Sequence, residues 1–251
     1  MAVIRFIFCL FFSLLLTTGD LVAQDAPSAD SAALADALKN TVSNYQQYIS
    51  WAAPLYSGPE YVEYYRRIYE GHAFIYNAAF VNGSVVFDGI LYENIPVKYD
   101  LLRNVLVIKG QNQGSPSFTP DIEKISYFTL GDHAYTKLKR DAANVLESGA
   151  RFYEVLYAGK EITLLKKENK TIEEELNPAV GLRRTVISST NFYLKKDNAY
   201  FLVNRNRQIL SALRDKEKEL RDFIRSQDDD ANTDHDKRMI GLAVYYESLY
   251  K

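Results

Sequence analysis

The stretch ISYFTLGDHAYTKL, residues 125–138, decides the fold class. Two runs rich in aromatic and β-branched residues flank Gly131-Asp132, a dipeptide suited to a tight turn. Apolar and polar side chains alternate along both runs, the period of a half-buried strand. The same grammar repeats on either side. Downstream, runs 151–157 and 161–166 flank Ala158-Gly159-Lys160, and runs 191–195 and 199–203 flank Lys196-Asp197-Asn198. Upstream, runs 97–101 and 105–109 flank Leu102-Arg103-Asn104, and the short runs 84–87 and 90–92 flank Asp88-Gly89. Asn94-Ile95-Pro96 reads as an interruption, 110–120 as a loop, 139–149 as a polar connection and 168–181 as a charged loop. Strands follow strands with no helix between them, so parallel βαβ units are disfavoured. The expectation is an antiparallel β-meander of about nine or ten strands over residues 55–204, closing as an open sheet, a sandwich or a barrel.

Helical periodicity stands at both ends. Leu34, Leu38, Val42, Tyr45 and Ile49 recur at steps of four and three, an amphipathic helix that Ser31 could cap and Pro54 stops. Beyond Val203 the period is helical again. Ile209, Leu210 and Leu213 mark a short helix. Leu220, Phe223 and Ile224 mark a second over 216–227, and Met239, Leu242, Tyr246 and Leu249 a third over 234–250, with Thr233 as N-cap. The fold expected is α+β: a mainly antiparallel β domain, a leader and N-terminal helix over 25–54, and a C-terminal helical segment over 205–251 packed on the sheet.

Composition agrees with a folded chain. The 251 residues are 47% hydrophobic and 25% charged, which excludes global disorder, and seven Pro with 12 Gly exclude collagen-like repeats. A net charge of −2 supplies no global attraction to nucleic acid or anionic lipid. Nineteen Tyr and 13 Phe against one Trp suit half-buried pleated surfaces. Residues 1–24 read as a signal peptide: Arg5, an apolar run over 6–16, then a polar step to small residues, with cleavage within 23–26. The run is too short to span a bilayer, which needs roughly 20 apolar residues. Cys9, the single cysteine, lies in that run, so the exported chain carries no disulfide and no thiolate chemistry. No later segment reads as transmembrane, and a cysteine-free exported domain fits the periplasm or cell surface of a Gram-negative bacterium.

The segments LYSGPEYVEY, GSVVFDGILYENIPVKYDLLRNVLVIK, ISYFTLGDHAYTKL, RFYEVLYAGKEITLLKK, FYLKKDNAYFLV and KEKELRDFIRS resemble an uncharacterised family of secreted or periplasmic proteins of Bacteroidota. The likeness runs from about Leu55 to Leu249, and its most specific pieces are Val86–Pro96 and Phe152–Tyr157. It implies an envelope location and no activity. Members of that group are basic between the last two helices, where this chain is acidic.

Few residues carry a chemical signal. Asp228, Asp230, Asn232, Asp234 and Asp236 alternate between two expected helices, as oxygen ligands do in an EF-hand loop. Thr233 stands where the sharp turn wants Gly, and Met239 where a bidentate Glu belongs, so the pattern is incomplete for Ca²⁺ and a solvated interhelical loop competes with it. No other cofactor is expected. Tyr56, Tyr61, Tyr64, Tyr65 and Tyr69 form an aromatic band that could stack on a sugar or line an apolar groove, or simply pack on the sheet. His72, His133 and His235 are too far apart in sequence for a helical metal pair. Asp88, Glu93, Asp100 and Glu154 are available carboxylates that the sequence alone does not pair. Lys166-Lys167, Arg183-Arg184 and Lys195-Lys196 read as outer positions of amphipathic strands rather than a nucleic-acid surface. The function expected is a secreted, non-enzymatic envelope protein that binds a protein partner or an apolar or glycan ligand. The alternatives are an envelope hydrolase using paired carboxylates and a Ca²⁺-stabilised structural module.

Overall fold

In the computed structural model, residues 54–63, 70–112, 114–139, 143, 145–146, 151–179, 181–227 and 234–250 are described. All fall within the unit that spans residues 49–251. The expected signal peptide and N-terminal helix lie outside the described residues.

Nine strands form one antiparallel sheet: β1 (Val81–Phe87), β2 (Ile90–Asp100), β3 (Val105–Ile108), β4 (Ile125–Leu130), β5 (His133–Leu138), β6 (Arg151–Ala158), β7 (Ile162–Asn177), β8 (Gly181–Lys196) and β9 (Ala199–Leu202). Their order is β3-β2-β1-β4-β5-β6-β7-β8-β9. The chain therefore meanders outward through β1, β2 and β3, returns through residues 109–124, and meanders the other way from β4 to β9. The return places β4 against β1, with Phe128 opposite Val85. Of the three closures left open by the sequence, the curled open sheet is the one formed, since β3 and β9 remain its two edges. The coarse expectation of a mainly antiparallel β fold with C-terminal helices holds.

Three differences from the strand pattern have physical causes. β2 runs straight through Asn94-Ile95-Pro96. Pro96 sits opposite Asn82, next to the register shift between Gly83 and Val85, and its carbonyl accepts from Lys109 N at 2.9 Å. A proline beside a bulge removes no ladder bond that the strand needs. The expected loop over 168–181 is instead the outer half of a long hairpin, paired in register from Ile162↔Lys196 to Asn177↔Gly181. Ile172 and Leu176 on one strand and Leu182 and Val186 on the other stand four residues apart among polar side chains, so no period-two alternation marks it in the sequence. Cross-strand pairing marks it in space: Glu174 lies opposite Arg184, with Arg184 Nε donating to Glu174 Oε1 at 2.7 Å. Finally, Lys166 and Lys167 are not solvent-facing positions. Lys167 is buried over the Tyr153 ring, and Lys166 turns inward.

Among the described residues three helices follow: α1 (Asn206–Ala212), α2 (Glu217–Gln227) and α3 (His235–Ser248). The N-cap of α3 is Asp234, not Thr233. Its carboxylate accepts from Asp236 N at 3.2 Å. Two carboxylates fasten the helices to the sheet. Glu247 Oε1 accepts from Glu161 N and Ile162 N at 2.8 and 2.9 Å, satisfying the turn between β6 and β7. Asp215 accepts from Lys196 of β8, from Tyr250 and, at 2.8 Å, from Tyr246.

Among the described residues the apolar side chains sort into three cores. One gathers Val85, Val97, Tyr99, Leu106, Phe128, Tyr135 and Phe152 under Leu55 and Ile75. A second joins Ile162, Leu164, Phe192 and Leu194 to Ile209, Leu220, Met239 and Tyr246 of the helical segment. Both lie on the same face of the sheet, hereafter the inner face. A third and smaller core, Tyr153, Leu165 and Tyr193 with Leu146, covers part of the outer face.

Candidate functional site

The strand register lays one row of side chains across the inner face. Val85 is opposite Phe128, Phe128 opposite Tyr135, Tyr135 opposite Glu154, Glu154 opposite Lys166, and Lys166 opposite Phe192. Directly opposed residues in antiparallel strands share a face. The row is thus apolar at both ends, where the two inner cores stand, and polar between them. Glu154 is 4% exposed at this seam.

Residues 70–76 cross above the seam. At one end Glu70 bridges Thr185 of β8, with Val186 N donating to Glu70 O at 3.0 Å. At the other, Phe74 bridges Asp100 of β2, with Ile75 N donating to Tyr99 O at 3.0 Å and Leu101 N to Ala73 O at 2.9 Å. Lys170 of β7 holds the middle, donating to the carbonyls of His72 and Phe74 at 3.2 and 2.5 Å. Burial lowers the basicity of that ammonium.

Tyr76 ends the strap in a strained conformation. Its φ is +55°, and Asn77 N donates back to Ile75 O at 2.7 Å, closing a three-residue turn. A left-handed backbone is costly for a large aromatic residue. It directs the ring into the site: Tyr76 and His133 rings lie 4.4 Å apart between centroids, and the Tyr76 and Tyr135 hydroxyls are 2.5 Å apart. Strain of this kind persists where the surrounding structure enforces it and is enriched at functional sites.

The electrostatics centre on Glu154. Its Oε1 lies 2.6 Å from His133 Nδ1, so the imidazole tautomer fitting this contact carries its proton there. Its Oε2 is buried and has no hydrogen-bond partner. The nearest cation, Lys166 Nζ, stands 3.7 Å from Oε2 and is hydrogen-bonded to Asp236 at 2.5 Å. Burial alone would lower the Lys166 pKa. Asp236 and Glu154 outweigh it and hold the ammonium above its ordinary value. Burial pushes both tyrosine hydroxyls up, with the Glu154 and Glu168 charges adding to each; at Tyr76 the Tyr135 hydrogen bond offsets part of the rise and the hydrogen-bonding reach of Glu154 adds to it. Both are therefore neutral donors at physiological pH. The site is half open: Tyr76 is 43% exposed and the His133 side chain 47%, above the covered carboxylate. An open depression beside Lys166 continues toward Asn204 and His235.

The residues singled out from sequence fall elsewhere. Tyr56 packs at the border of the first core, while Tyr61 donates to Asp100 Oδ2 at 3.0 Å among Lys98, Arg103 and Phe74. Burial, then the neighbouring Asp100, pushes the Tyr61 hydroxyl up. Asp100 and Tyr99 alternate on β2, so Tyr61 and Tyr56 do not share one platform. Tyr64, Tyr65 and Tyr69 lie outside the described residues, as do Asp228, Asp230 and Asn232. Asp234 is committed to capping α3 and Asp236 to Lys166. Among the described residues no group of three or more His, Cys, Asp or Glu is placed to hold a metal ion. Glu154 and His133 were each noticed in the sequence but not joined. The usable signal is a glutamate at an inward position of an otherwise apolar strand, RFYEVLYA.

A scan against protein families and searches of curated proteins and solved structures give no match to this chain. Among the described residues no helix is long and apolar enough to cross a membrane.

Proposed function

We propose that this is an exported envelope protein that binds a ligand at the inner-face seam and does not transform it. The observation that carries the reading is Glu154 Oε2: a carboxylate oxygen covered from water, without a hydrogen-bond donor, beneath two half-exposed rings. A buried acceptor left unmade costs about 1–3 kcal/mol, and a ligand donor supplied from outside recovers that cost on binding. The apolar run over 6–16 supports the exported setting.

The hydrolase alternative fits less well. A glycosidase needs two carboxyl groups facing each other across the scissile bond, about 5–9.5 Å apart. Here Lys166 contacts both Glu154 and Asp236, so an ammonium occupies the space between the two acids. Asp100 belongs to the separate Tyr61 cluster. The Ca²⁺ reading has two of its five residues committed elsewhere.

The test is native mass spectrometry of the chain purified gently from its own envelope, beside the Glu154→Gln variant at equal expression. A discrete adduct on the wild type that is lost from the variant supports the reading. An adduct of equal abundance on both, or none on either with a crosslinked protein partner instead, would move recognition away from the seam.

A further inference from the structure

The hydrogen-bonding inventory of the seam selects a ligand class, and the selection rests on the seam being the binding site. We infer that the ligand is an uncharged, polyhydroxylated ring: a neutral glycan that presents a hydroxyl to the Tyr76–Tyr135–Glu154 cluster and its C–H face to Tyr76.

Each group contributes a defined capacity. Glu154 has one oxygen engaged by His133 and one free to accept. Tyr76 and Tyr135 share a single hydrogen bond, so whichever hydroxyl accepts it keeps its own proton to donate. The seam therefore holds one tyrosine proton and one carboxylate acceptor facing each other, and a ligand hydroxyl placed between them accepts from the first and donates to the second. An alcohol hydroxyl answers both at once, because it donates and accepts. A protonated amine donates to Glu154 but, having no lone pair, offers the tyrosine proton no acceptor of its own. A carboxylate or phosphate accepts from the tyrosine but meets the Glu154 charge in a covered place, where like charges repel strongly. Lys166 does not reverse this preference, since Asp236 already holds its ammonium at 2.5 Å.

The second feature is the ring pair. Tyr76 and His133 stand 4.4 Å apart with 35° between planes, and both are about half exposed. An exposed aromatic plane beside a hydroxyl-reading cluster matches a sugar ring, which has a polar rim and an apolar face. The strained backbone at Tyr76 holds the plane in place before the ligand arrives, which reduces the ordering cost of binding.

The test is an array of neutral, amino and uronic-acid oligosaccharides probed with the mature chain, followed by calorimetry on the best neutral hit. Wild type should favour neutral oligosaccharides. Glu154→Gln and Tyr76→Phe should each weaken that hit by about tenfold or more. Tyr76→Ala should weaken it further, and far-ultraviolet circular dichroism should be unchanged in all three. A preference for amino or acidic oligosaccharides that is still lost in Glu154→Gln and Tyr76→Phe would overturn the ligand class and keep the site. Oligosaccharide binding untouched by any of the three variants would overturn the site itself.

Discussion

The Asp215 carboxylate shows how much of the helical attachment depends on one side chain. Burial alone would raise its pKa. The hydrogen bonds from Lys196, Tyr250 and Tyr246 outweigh that effect and hold the group well below the usual carboxylate range. A group with a depressed folded pKa stabilises the fold above its unfolded value of about 3.9, and that stability is lost as pH falls below it. Melting temperature should therefore vary little with pH near neutrality, where Asp215 stays ionised, and fall below about pH 4. Asp215→Asn should lower stability at pH 7 by about 1 kcal/mol, a modest figure because the side chain is 37% exposed. The variant should also show a shallower acid limb, read by thermal melts across pH 2–7. Gly83 makes a different demand. A Cβ there would collide with the Thr129 carbonyl, a backbone atom of the neighbouring strand. Gly83→Ala should cost about 1–3 kcal/mol in urea unfolding, in the range of overpacked sites. An unchanged midpoint would mean that β1 and β4 can separate without penalty.

Elements differ in how firmly they are held. The inner parts of β7 and β8 are flanked by β6 and β9, but register partners there end near Lys166 and Tyr193. Beyond that point the two strands pair with each other, apart from the Glu70 bridge to Thr185, out to a tip where Leu176 is 79% exposed. A two-stranded ladder without a third strand is marginal in water. Amide hydrogen exchange over 172–176 and 182–184 should be faster than over 162–166 and 192–195, and Leu176→Ser should leave the melting temperature unchanged. Equal protection along the hairpin would contradict this picture. The same contrast explains what the sequence made legible. Hairpins with one buried face, such as 125–138, announce themselves by alternation. The outer half of β7–β8 buries neither face, so its charges read as a loop, and only cross-strand pairs such as Glu174 with Arg184 reveal its register. The cap of α3 was displaced by one residue because Thr233 and Asp234 are both good caps and local preference does not choose between them.

At the scale of the whole molecule, the seam exists because two cores meet on one face without merging. The sequence named Glu154 and His133 singly, yet their meeting depends on the β5–β6 register and on a strap that pairs with β8 at one end and β2 at the other. No local pattern encodes a contact of that range. Nor does composition reveal Tyr76, whose role follows from a positive φ that tyrosine rarely adopts. The central claim is that Glu154 is kept for a ligand rather than for the fold. Removing its charge leaves Lys166 paired with Asp236 and His133 half exposed to water, so little that is buried loses its partner. The most direct measurement is urea unfolding of Glu154→Gln beside the wild type at pH 7 without added ligand. The account expects a midpoint equal to or above that of the wild type. A loss of about 3 kcal/mol or more, the size seen when a structural buried pair is broken, would contradict it and make Glu154 a strut of the sheet.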